Sequence, residues 1–102
     1  MGLHGISLEE VFKQTEEYLK EASDKDEVTL ENSTVRKLFD LAAYASEASQ
    51  LPESEQNTFL EYANGLTKIC VDLGHPAMDK ERGSYEQIQD HFPTFINPLA
   101  KR

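Results

Sequence analysis

The stretch Leu51–Gly74, LPESEQNTFLEYANGLTKICVDLG, constrains this chain more than any other, because it carries a start signal, a stop signal and an apolar seam between them. Pro52 suits a first helical position, where its missing N–H leaves nothing unsatisfied. Glu53 and Glu55 follow in the first turn, at the positive end of the helix dipole. Phe59, Ala63, Leu66, Cys70 and Leu73 then recur at intervals of four, three, four and three, which aligns them on one side of a helix. Tyr62 and Ile69 widen that side on one flank, Leu60 and Val71 on the other, and Asn57, Glu61, Asn64, Lys68 and Asp72 form a polar back. So wide an apolar face calls for neighbours on more than one side. Gly74 and Pro76 supply the stop. Gly65 departs from the pattern, since glycine inside a helix costs about 1 kcal/mol relative to alanine. Two readings fit it: an unbroken helix where another backbone comes close, or a kink at the Asn64–Gly65 turn pair.

Two further long helices precede this one. Ser7 and Glu10 form the S-x-x-E pattern of a capping box, with Ile6 and Val11 as the two halves of a hydrophobic staple. The spacing of Leu8, Phe12, Thr15, Leu19 and Ala22, flanked by Val11 and Tyr18, predicts a helix over 8–23. Its outer face carries Glu9–Lys13 and Glu16–Lys20 in the favourable acid-first order. Residues 24–32, DKDEVTLEN, read as a connection. They do not make a calcium loop: a loop starting at Asp24 needs glycine at its sixth position and glutamate at its twelfth, and those places hold Thr29 and Val35. The next helix is expected over 32–50, starting near Ser33 or a few residues earlier at Thr29. One face holds Val35, Leu38, Phe39, Ala42, Ala45 and Ser49; Leu41, Tyr44 and Ala48 form a second strip. That strip means either two packed neighbours or a surface offered to a partner.

After the junction HPAMDKERG, Ser84 is expected to cap a short helix over 85–92, with Tyr85, Ile88 and Phe92 as its apolar face. Pro93 ends it. The tail over 93–102 carries Phe95, Ile96 and Leu99 among prolines and is expected to be extended, either strapped across the other helices, docked on a partner or exchanged between subunits.

Charge narrows the function. Nineteen acidic side chains stand against ten lysines and arginines, for a net charge of −9. Binding to a phosphate backbone or an anionic membrane needs the opposite balance, so neither direct nucleic-acid contact nor membrane adhesion is expected. An acidic surface can steer a basic partner. A lone cysteine and the lack of a basic-then-apolar leader point to the cytoplasm.

Motifs for chemistry are missing. His4, His75 and His91 lie in three different segments, without the i,i+4 or paired-cysteine spacing of a metal site. Cys70 falls in the middle of the apolar seam, where it reads as a small hydrophobe. There is no phosphate-binding glycine loop, no nucleophile elbow and no zinc-protease motif.

The expected fold is therefore all-α over a single domain, 1–102: a small antiparallel bundle of three main helices (8–23, 32–50, 52–73), a short fourth (85–92) and an extended C-terminal tail. No enzymatic activity, cofactor or metal is expected. The expected function is protein–protein interaction, as a regulator, inhibitor or adaptor, through Leu41, Tyr44, Phe92, Phe95 and Ile96. A basic protein or a second copy of the chain would be the partner. The alternative is an acidic mimic of nucleic acid, carried by Glu9, Glu10, Glu16, Glu17 and Glu21.

Overall fold

The capping pattern at Ser7 does start a helix: Ser7 Oγ accepts from the Glu10 amide at 3.2 Å, and α1 runs Leu8–Glu21. The Glu10 carboxylate turns instead to the Gln14 side-chain amide, 3.2 Å away. The computed structural model describes residues 7–73 and 82–97, apart from the side chains of Ser23, Glu27 and Leu73. A 3-10 turn over Ala22–Asp24 follows α1. Then come α2 (Glu27–Ala43), α3 (Ala45–Ala48), α4 (Glu53–Leu73) and α5 (Arg82–His91). Among the described residues there is no strand. The all-helical class expected from the sequence holds, and the chain is compact, with a radius of gyration of 12.7 Å.

Several boundaries differ from the expectation. The second helix begins at Glu27, because Asp26 caps it: its carboxylate accepts from the Thr29 amide at 2.9 Å and the Thr29 hydroxyl at 3.0 Å. It also stops at Ala43. Tyr44 leaves helical geometry at φ −103°, ψ 7°, and α3 resumes for four residues. Pro52 stands just outside α4, its carbonyl accepting from the Glu55 and Gln56 amides at 2.9 and 3.0 Å. Gln56 reaches back over the preceding turn and donates to the carbonyls of Ser49 (3.1 Å) and Leu51 (2.6 Å), which satisfies groups that the end of α3 leaves open. α5 starts at Arg82, so Ser84 is a buried residue within the helix and not its cap. Directly after Phe92 the chain makes a turn, with the Phe95 amide donating to the Phe92 carbonyl at 2.9 Å, where an extended start to the tail was expected. Ile6, Gly74, Pro76 and residues 98–102 lie outside the described residues, as do the staple, the stop signal and the rest of the tail.

Packing follows from the width of the apolar faces. α2 lies against both α4 and α5, and α1 lies against α4. Gln14 meets Lys37 while Tyr18 meets Thr34, so α1 and α2 run in opposite directions. Phe12 meets Phe59, Glu16 meets Tyr62 and Leu19 meets Gly65, so α1 and α4 run in the same direction. One core collects Leu8, Val11, Tyr18, Leu38, Leu41, Ala45, Phe59, Ala63, Leu66, Tyr85, Ile88 and Phe92. An aromatic chain runs through it. Tyr62 packs edge-on against Phe12 at 5.7 Å, Phe12 lies 6.2 Å from Phe59, and Phe59 stacks on Phe92 at 4.7 Å. Cys70 is buried in the seam as expected. α4 is continuous through Gly65, and the close neighbour there is the Leu19 side chain of α1.

Candidate functional site

The five residues expected to meet a partner divide unequally. Leu41 and Tyr44 are 0% and 2% exposed, and Phe92 and Phe95 are also buried. α2 packs against both α4 and α5, and Leu41, Tyr44 and Ala48, the second apolar strip, are all buried. Phe92 and Phe95 fold back into the same core. In this fold the four are interior residues; Ile96, 74% exposed, is the one of the five at the surface. Phe39, expected on the packed face of its helix, is 47% exposed.

The tyrosines show how the interior handles polar atoms. Tyr18 donates to the Leu30 carbonyl at 3.0 Å and shares a second hydrogen bond with the Thr34 hydroxyl. A phenol has one proton, so Thr34 donates in the second bond. Burial pushes the Tyr18 phenol up from its ordinary value. Burial does the same for Tyr44, with the carboxylates of Glu47 and Asp40 adding to it. Tyr62 is raised by burial and by Glu16, to which it donates at 3.2 Å. These groups hold the helices together. None is poised for proton transfer at neutral pH, because each is pushed further from it.

A different place gathers polar and apolar groups at the surface. The start of α1, the short α3 and the start of α4 enclose a cleft of about 440 Å³. Leu8, Phe12 and Leu51 provide its apolar surface, and Ser7, Glu9, Glu47 and Glu55 its polar one. The three glutamates are exposed, and among the described residues none takes part in an ion pair or a side-chain hydrogen bond. No lysine or arginine lines the cleft among the described residues. Sequence reading missed this site because its residues come from three separate segments. The available signal was limited to acids in the first turns of two helices, which the helix dipole already explains.

His91 is exposed at the end of α5; His4 and His75 lie outside the described residues. Among the described residues no three metal-ligating side chains converge, and no helix is long and apolar enough to cross a membrane. Comparison with protein-family models, curated proteins and solved structures finds no match.

Proposed function

We propose that this chain is a non-enzymatic binding protein, a regulator, inhibitor or adaptor that works in the cytoplasm by engaging a basic protein partner. The observation that carries this reading is the cleft between α1, α3 and α4. Its apolar floor of Leu8, Phe12 and Leu51 is rimmed by three carboxylates that have no ion-pair or side-chain hydrogen-bond partner among the described residues. Apolar surface gives a contact its strength, and charge of one sign selects the partner and speeds encounter. The contact surface thus moves from Leu41, Tyr44, Phe92 and Phe95, which support the core, to this cleft. In the same reading the three long helices form one antiparallel up-down-up bundle whose job is to hold the two helix starts side by side.

The acidic-mimic reading is less well supported. Of its five acids, Glu10 accepts from Gln14, Glu16 pairs with Lys20 at 3.6 Å and Glu21 with Lys25 at 3.9 Å. Interleaved lysines break the uninterrupted negative row that a phosphate mimic needs.

Affinity capture from native lysate at low and high salt, read by mass spectrometry, tests the proposal. A stoichiometric basic protein retained at low salt and weakened at high salt is expected. Retention of nothing beyond a bait-free control would overturn it. Light scattering on the same samples distinguishes a second copy of the chain from a different protein.

A further inference from the structure

We infer that the cleft at the starts of α1 and α4 takes a segment of the partner in which a bulky apolar side chain is flanked by lysine or arginine. This rests on the protein-binding reading and specifies what the partner presents. The floor of Leu8, Phe12 and Leu51 offers only carbon to an incoming side chain, so the inserted group must be apolar. At about 440 Å³ the cleft falls in the range of roughly 300–1,000 Å³ typical of ligand pockets, large enough for a bulky anchor.

The rim then decides the flanks. Glu9, Glu47 and Glu55 come from three elements, and no basic side chain among the described liners offsets them. The starts of α1 and α4 contribute about half a positive charge each, which cancels roughly one of the three negative charges. A net negative rim remains. An acidic segment would be repelled there, a neutral one would leave the carboxylates unpaired, and a basic one gains on both counts. The groove between α1 and α2 lacks this selectivity, since Glu17 and Glu21 share its lining with Lys25 and Lys37.

The test uses the full chain, isotope-labelled, titrated with three synthetic peptides: a phenylalanine between lysine pairs, the same peptide with serine for phenylalanine, and phenylalanine between glutamate pairs. The triple variant Glu9→Gln, Glu47→Gln, Glu55→Gln changes only exposed side chains; circular dichroism checks its fold. The basic apolar peptide is expected to shift the amides of Ser7, Leu8, Phe12, Leu51 and Glu55. Its affinity should fall about tenfold or more in the triple variant and fall with added salt. The serine and glutamate peptides should leave those amides in place. Equal binding by wild type and variant, or shifts confined to other surfaces, would overturn the inference. So would contacts from Leu3 or Ile6 to Phe12 and Leu51 in the free protein, which would give the cleft to the chain's own N-terminal segment. Self-association protecting the same amides would give it to a second copy. The triple variant also serves as bait in the lysate capture. If it retains the wild-type partner undiminished, this inference fails and the protein-binding reading stands; if wild-type bait retains nothing, that reading fails.

Discussion

A methyl group placed on Gly65 of α4 would stand 3.3 Å from Leu19 Cδ1 and 3.4 Å from Leu19 Cδ2 of α1. The glycine therefore faces the Leu19 side chain of α1, inside an unbroken helix. Two effects compete when it is replaced. Alanine gains about 1 kcal/mol of helix propensity. It also presses on the end of a half-buried leucine that needs to yield only a few tenths of an ångström. Gly65→Ala is expected to raise stability by about 0.5 kcal/mol, and Gly65→Leu, which overfills the contact, to lower it by about 2 kcal/mol. Urea unfolding of the two variants measures both signs. A kink at this position would instead make Gly65→Ala the destabilising change.

The hydrogen bonds of Tyr18 give a second prediction. Tyr18→Phe leaves the Leu30 carbonyl and the Thr34 hydroxyl without the phenol they share, at an expected cost of about 1–2 kcal/mol. The pH dependence follows from the raised phenols. Tyr18, Tyr44 and Tyr62 all titrate above their ordinary value of 10.0 in the folded chain. The folded state then keeps protons that the unfolded state gives up. Their contribution is complete below pH 10 and is lost as pH rises from there through the raised folded values. Absorbance titration of tyrosinate alongside circular dichroism should show ionisation delayed beyond pH 10 and tied to unfolding. Early, unfolding-independent ionisation of these three side chains would contradict the burial.

Leu41 and Ile96 predict opposite responses. Leu41 is completely buried where α2 meets its neighbours, so Leu41→Ala should cost about 2–5 kcal/mol, a large share of the stability of a domain this size. Aspartate at Leu41 and Tyr44 together should prevent folding. Ile96→Asp, at 74% exposure, should change stability by less than about 0.5 kcal/mol. Chemical denaturation of Leu41→Ala and Ile96→Asp separates core from surface without reference to any partner.

What was legible in the sequence tracks what is local. The seam of α4 is written in the spacing of Phe59, Ala63, Leu66 and Cys70, and the N-cap at Ser7 needs only a neighbour three residues on. The burial of Cys70 follows from that seam. The second strip of α2 was ambiguous for a physical reason: two packed neighbours and one neighbour plus a docking face demand the same apolar pattern. Burial of Tyr85, Ile88, Phe92 and Phe95 supplies the missing neighbour, and it depends on α5 returning to α2 from far along the chain. The sequence pattern places the start of α2 too late because Thr29 stands three residues after the Asp26 cap, where a capping box has Glu or Gln. The bond between Tyr18 and Thr34, the contact of Leu19 with Gly65 and the cleft of Glu9, Glu47 and Glu55 all depend on how helices are set beside one another, which no single segment encodes.

Asp26 gives the acid-side counterpart to the tyrosines. Its carboxylate accepts from both the amide and the hydroxyl of Thr29, and those bonds favour the ionised form, holding its pKa below the ordinary 3.8. In the unfolded chain the bonds are gone and the group takes up its proton at the higher value. The cap therefore contributes fully above about pH 5, and its contribution is lost as pH falls from there through the lowered folded value. Asp26→Ala should lower Tm by a few degrees at neutral pH. The gap between wild type and Asp26→Ala should hold steady from about pH 7 to pH 5 and then narrow as the carboxylate is protonated toward about pH 2. Comparing the two proteins at each pH removes the shared effect of the other acids. Asp26→Asn keeps an acceptor that does not titrate, so its gap to Asp26→Ala should persist into acid. Parallel melts of the three proteins, followed by far-ultraviolet circular dichroism, measure all of this. A gap between wild type and Asp26→Ala that stayed constant down to the lowest pH would mean that Asp26 contributes through its shape alone and not through its charge.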